Sequence, residues 1–173
     1  MNTFVQLIQI ITLKRKPSEI NYDTSAAIIV TMATIATTYV QIIASKLLSD
    51  QQIIFVIAQT IGQAGLIWLL LKARNKENRY IQTITALFGV SAVLNLFGII
   101  ILQLPVLIAF GILFSAWNFY LIVLILGEAL ECSIIRSAFI TIAYHITVTM
   151  FLYLLLPDLF ADIIANISAA KTA

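Results

Sequence analysis

Residues 80–102 read YIQTITALFGVSAVLNLFGIIIL, twenty-three positions without a single Asp, Glu, Lys or Arg. A bilayer's hydrocarbon core is roughly 30 Å thick and takes about 20 helical residues to cross, so this stretch is long and apolar enough to span it. Four more charge-free runs flank it, at 25–45, 53–71, 105–127 and 137–156, and all eighteen charged residues fall between or outside the five. In hydrocarbon every backbone N–H and C=O must be paired within the protein, which a helix achieves inside one segment. The alternating pattern of a membrane-spanning barrel strand is absent from these runs. The expected fold is all-α: a polytopic bundle of five transmembrane helices.

Composition agrees. The 173 residues are 61% hydrophobic and 10% charged, with mean hydropathy +1.03. A soluble domain carries about a quarter charged residues, so too little polar side chain is present to face water. A net charge of +2 leaves no basic surplus for a nucleic-acid partner. The prolines Pro17, Pro105 and Pro157 stand at the edges of runs, where a helix loses no interior hydrogen bond, whereas all six glycines fall inside runs. Small residues at Ala58/Gly62 and Gly111/Ser115 have the spacing that lets helix backbones approach.

Three parts follow: an N-terminal segment 1–20, the membrane domain 21–156, and a tail 157–173. Residues 3–13 place Phe4, Leu7, Ile8 and Ile11 on one helical face, followed by Lys14, Arg15 and Lys16. That pattern predicts a short interfacial helix with its cations toward anionic headgroups. The tail, with Leu159, Phe160, Ile163, Ile164 and Ile167 among Asp158, Asp162 and Asn166, reads as a second surface helix. Asn166-Ile-Ser168 also matches a glycosylation sequon. Counting Lys and Arg on alternate sides gives Lys14, Arg15, Lys16, Lys72, Arg74, Lys76, Arg79 and Arg136 on one side. Only Lys46 and Lys171 lie on the other. The positive-inside rule then puts the N-terminus in the cytoplasm and the C-terminus outside, with Trp68 and Tyr80 as interfacial aromatics beside the basic loop.

Chemistry-bearing signatures are missing: the chain has no P-loop, GxGxxG, HExxH, CxxC or GxSxG pattern. No carboxylate lies within a run, so an Asp- or Glu-based ion relay has nothing to start from. His145 is the one histidine and Cys132 the one cysteine; zinc wants three or four ligands, and no metal or cofactor is expected. Glu128 and Glu131, beside Cys132 and Arg136, read as a charged loop and not as a catalytic pair. What the runs do hold is uncharged polar residues at helical spacing: Thr34 and Thr38, Gln59 and Gln63, Asn95, Asn118, and the i, i+4 series Ser137, Thr141, His145, Thr149. Polar side chains in hydrocarbon turn inward for partners, so these stripes are expected to share a seam. Two readings stay open: hydrogen-bonding glue between helices, or a small polar cavity for a ligand with His145 as its titratable group.

Certain residues carry a family resemblance: the Lys14-Arg15-Lys16-Pro17-Ser18-Glu19 stretch after a short amphipathic start, Arg79-Tyr80-Ile81 opening the third run, Trp117 within the fourth, and Arg136-Ser137-Ala138 opening the fifth. With five spans and a cytoplasmic N-terminus, this layout resembles bacterial members of the Yip1 family over residues 14–156. The acidic-Leu-Tyr-Gly-Pro motif of eukaryotic relatives is replaced by Asn21-Tyr22-Asp23-Thr24, so their role in vesicle trafficking and Rab-GTPase binding is not carried over. The resemblance implies a non-enzymatic inner-membrane protein, a scaffold or accessory subunit whose partners are membrane lipids and other membrane proteins. The alternative from another class is a small-solute or lipid carrier using the polar seam.

Overall fold

The computed structural model describes residues 3–20, 23–45, 52–103, 108–158 and 160–161, and every regular element among them is helical. The helices are α1 (Thr3–Ile11), α2 (Thr24–Ser45), α3 (Gln52–Lys72), α4 (Tyr80–Gln103), α5 (Ile108–Ala129) and α6 (Ile134–Leu155). Short 3-10 turns at Pro17–Glu19 and Glu77–Arg79 precede α2 and α4. Helices α2 to α6 are all long and apolar enough to cross a membrane. Three take in a charge beyond the charge-free stretches: α3 ends on Lys72, α5 takes in Glu128, and α6 begins at Ile134 and takes in Arg136. Long charged side chains at a helix end still reach water or headgroups, so the helix need not stop where the apolar run does. Of the expected tail, Pro157, Asp158, Phe160 and Ala161 are helical, with the Phe160 ring 5.6 Å from that of Tyr153. The remainder of that surface helix, the sequon, Pro105, Lys46 and Lys171 lie outside the described residues.

Helix α4 is the centre of the bundle, packing against α1, α2, α3 and α5, with α6 bridging α3 and α5 on the outside. Every residue from 83 to 90 is buried, and 61% of its apolar window is covered by protein, against a third or less for the other spans. A helix that is hydrophobic all round has no preferred solvent face, and the stable place for it is inside. Its buried hydroxyls do not break this pattern. Thr83 donates to Arg79 O at 2.8 Å and Thr85 to Ile81 O at 2.7 Å, each one turn back, the local bond that hydroxyls make inside helices.

All three helix-to-helix turns of the odd-numbered helices lie at one end. Leu13, Asn75 and Glu131 adopt left-handed φ of 56°, 54° and 50° just after α1, α3 and α5. In each case the next amide bonds back five residues: Lys14 N to Gln9 O at 2.7 Å, Lys76 N to Leu71 O at 2.9 Å, Cys132 N to Gly127 O at 2.9 Å. This is the closing geometry that pairs a helix's last carbonyls. At the start of α2, Asp23 Oδ1 accepts from Ser25 N at 2.9 Å and Ala26 N at 3.2 Å, a side-chain cap on two orphan donors.

Helix α1 runs along the first half of α4. Its buried face is Gln6, Leu7 and Ile10, while Phe4 is exposed and Ile8 and Ile11 are half-covered. Relative to the expected Phe4–Leu7–Ile8–Ile11 stripe, that face is turned by about 100° on a helix advancing 100° per residue. A glycine on α4 selects it: a Cβ at Gly89 would lie 2.6 Å from both Leu7 methyls. At 1.5 Å per residue, Gly89 is about 14 Å along α4 from Tyr80.

Helices α5 and α6 cross closely at Gly127, where a Cβ would meet Ser137 Cβ at 3.1 Å. Ser137 is wholly buried and donates to Val123 O at 2.5 Å, so it has no flexible end to move aside. Gly127→Ala is expected to cost about 1–2 kcal/mol through overpacking. Gly65, with nothing within 4 Å of its would-be Cβ, provides the opposite outcome. There Gly→Ala should stabilise the helix by up to about 1 kcal/mol. Thermal unfolding of both variants in one detergent checks the sign of each.

Candidate functional site

Part of the polar seam forms, and it forms between α2 and α4. Thr34, on the buried side of α2, donates across the interface to Phe88 O at 2.6 Å, sharing its hydroxyl with Val30 O at 2.8 Å. One helical repeat further along, Asn95 Nδ2 donates to Thr38 Oγ1 at 2.8 Å. Beyond that, a Cβ at Gly98 would touch Gln41 Nε2 at 2.8 Å. Small and hydroxyl side chains on α2 let the two helices come this close, and the cross-helix bonds set their register.

The remaining seam residues do not join them. Gln59 and Gln63 are half-buried on α3. Asn118 is half-buried on α5, and its Oδ1 has no hydrogen-bond partner among the described residues. On α6 the expected stripe divides: Ser137 and Thr141 are wholly buried, whereas His145 and Thr149 are exposed. His145 Nδ1 donates to the Thr141 carbonyl of its own helix at 2.8 Å, and its ring lies against Tyr144 and Phe119. The expectation that His145 turns inward to share the seam is therefore corrected, and it bonds to neither Asn118 nor Gln63. The reason is geometric, because residues at strict i, i+4 spacing drift about 40° around the helix at each step. After two steps they leave the buried face, which continues instead through Tyr144, Val148 and Leu152.

The second constellation lies at the basic end, where Lys14, Arg15, Lys16, Lys72, Arg74, Lys76 and Arg79 all sit. Arg79 ties the turn before α4 to the end of α5 there. Its Nη1 donates to Glu128 O at 3.0 Å, and its Nη2 pairs with Glu131. Lys76 Nζ reaches Glu131 Oε2 at 2.6 Å. A cation over the last carbonyls of α5 also suits the negative end of the helix dipole. Ser18 Oγ donates to Glu128 Oε1 at 2.5 Å, Gln82 Nε2 donates to Ile20 O at 3.0 Å, and Arg15 pairs with Glu19 at 3.5 Å. Lys72 Nζ stacks on the Trp68 ring, 4.6 Å from its centroid. Tyr80, the other expected interfacial aromatic, turns inward and donates to Ala64 O at 3.4 Å.

Between α1, the 13–19 segment and α5, with Arg79 and Ile134 at its edge, this end forms an open cavity of about 950 Å³. Its lining joins charged side chains of the loops to apolar side chains of α1 and α5, and Cys132 is on its wall. The sequence signal for it was present but weak: acids at 128 and 131 opposite bases at 76 and 79, in loops of the same parity. Among the described residues no group of three His, Cys, Asp or Glu side chains converges as a metal site would require.

The neighbouring cations hold Glu131 below the usual carboxylate range, first through the hydrogen bond from Lys76 and then through the charge of Arg79. A depressed value means the clasp stabilises the fold above the ordinary carboxylate value near 4.5 and is lost as pH falls through the lowered one. Glu131→Gln should therefore lower the melting temperature at neutral pH and leave it less dependent on pH on the acid side. A pH series of thermal melts checks both effects.

No family model, no curated protein and no solved structure matches this chain.

Proposed function

We propose that this chain is a non-catalytic protein of the bacterial inner membrane, a Yip1-like scaffold or accessory subunit of a membrane protein assembly. The observation that carries the reading is on α6. His145 and Thr149 stand exposed on its outer surface among Ile142, Ile146 and Met150, at a depth where lipid has no hydrogen bond to offer. Polar groups at mid-span almost always face protein or a water-filled cavity, so a partner helix is the fitting neighbour for this face. The polar residues of α2 and α4 support the same reading, since Thr34, Thr38 and Asn95 spend their bonds fastening helices. A carrier working through that seam draws less support for the same reason.

Copurification in mild detergent tests the proposal. A stable stoichiometric membrane partner is expected. His145→Leu should weaken its retention while leaving the isolated chain as stable as before, because it removes a polar group from an apolar surface. A chain that purifies alone, or a partner indifferent to position 145, would refute the reading.

The proposed orientation, N-terminus in the cytoplasm and C-terminus outside, rests on eight of ten basic residues sharing one side. Reporter fusions after Leu71 and Leu102 are expected to report the inside and the outside respectively. Equal signals would overturn it.

A further inference from the structure

The cavity at the basic end has an ionic mouth and an apolar depth, and few ligands match both. At about 950 Å³ it is at the upper end of the range for small-molecule sites. Its wall on α5 includes Tyr120 and Leu124, and Tyr120 is nine residues before the end of that helix, or about 14 Å at 1.5 Å per residue. The space thus descends from the charged loops into the level of acyl chains, with Ile10 and Leu13 on the opposing side.

The charges at the mouth are not all neutralised. Glu19 is paired with Arg15 and Glu131 with Lys76 and Arg79, while Glu128 accepts from the neutral Ser18 hydroxyl, so the lining carries Lys14, Arg15, Lys16 and Arg79 against these three carboxylates. Lys14 and Lys16 line the same mouth, both exposed, with no side-chain partner among the described residues. Two free ammonium groups above an apolar shaft call for one negative headgroup joined to a hydrocarbon chain. A free anion would leave the shaft to water, and a zwitterionic lipid would bring no net charge to the lysines.

We propose that this cavity binds a single anionic phospholipid, with its phosphate at Lys14 and Lys16 and one acyl chain against Leu13, Tyr120 and Leu124. The lipid would fill the space between α1 and α5, where α6 contributes only its first residue, Ile134, so the site is separate from the His145 face of that helix.

The chain's one cysteine makes the test direct, because Cys132 is on the cavity wall. Full-length protein is placed in nanodiscs of phosphatidylcholine alone or of phosphatidylcholine with phosphatidylglycerol, and the rate of maleimide labelling at Cys132 is followed. Labelling is expected to be several-fold slower with phosphatidylglycerol, and inorganic phosphate added to phosphatidylcholine discs should have no effect. Lys14→Gln with Lys16→Gln should erase the difference. Lys72→Gln with Arg74→Gln, which removes two charges at the same end but outside the cavity, should preserve it. All four positions are exposed, so folding is not at stake. Native mass spectrometry should find one retained phosphatidylglycerol in the wild type and none in the Lys14/Lys16 variant. Equal labelling in both discs overturns the proposal. Protection by phosphate alone would make this a free-anion site, and loss of protection in the Lys72/Arg74 variant would reduce it to general surface charge; either result overturns it too.

Discussion

Gly89→Phe should expel α1 from the bundle while leaving the five long helices assembled. The Leu7 methyls already occupy the volume a side chain would need, 2.6 Å from a Cβ at position 89, and Leu7 is 3% exposed. An alanine would be met by a change of Leu7 rotamer, but a phenyl ring has no such outlet between α1 and α4. Overpacking of this kind costs up to about 3 kcal/mol, which corresponds to roughly 100-fold in the docking equilibrium at 1.4 kcal/mol per decade. Hydrogen exchange reads this segment by segment: α1 amides should lose about two orders of magnitude of protection while those of α4 keep theirs. Gly89→Phe combined with Leu7→Ala should recover part of the docking, because the second change returns some of the volume that the ring takes. If α1 stays as protected in Gly89→Phe as in the wild type, Leu7 is not seated where the structure puts it.

Phe88→Ala, one residue earlier, is expected to have the largest effect on global stability. Phe88 is 1% exposed and is the largest of the fully buried side chains among the described residues, in the stretch of α4 surrounded on all sides. Truncating it removes the contacts of a whole ring and leaves a space that neighbouring helices fill only in part, a loss of about 3–5 kcal/mol. The same substitution at Phe97, on the same helix but 52% exposed, should stay within about 0.5 kcal/mol, because lipid or detergent chains take the vacated place. Melting temperatures of the two variants, measured side by side, separate protein packing from mere hydrophobicity. Similar losses at both positions would contradict the central placement of α4.

Much of the membrane domain was legible because hydrocarbon tests each segment separately. A run such as 80–102 must satisfy its own backbone bonds and carry no charge, and both conditions can be read without knowing any neighbour. The alternation of Lys and Arg between loops is equally local, and segments 13–20, 72–79 and 129–136 do meet at one end. Thr34, Thr38 and Asn95 were visible as polar residues needing partners. That α2 and α4 would supply those partners to each other was not visible.

The misread residues share a cause. Ile10 joins Leu7 against the bundle in place of Phe4 and Ile8 because Gly89 leaves a hollow there, and no property of segment 3–13 records the absence of a side chain on a distant helix. His145 turns outward because four-residue spacing precesses around α6 while the packed face follows the neighbouring α3 and α5. The cavity near Cys132 draws its walls from α1, the 13–19 segment and α5, whose sequences each look ordinary.

The sequence by itself determined the number of apolar helices, their approximate ends and the end that gathers the positive charge, since these follow from the free energy of each segment in water against lipid. Only the tertiary structure decided that α4 is the core, which face of α1 and α6 is covered, and that Glu128 and Glu131 close a charged mouth over an apolar shaft. Those are properties of pairs of surfaces: in lipid the helices gain little from hydrophobicity when they meet, so the fit of a glycine to a leucine or a threonine to a carbonyl selects the arrangement.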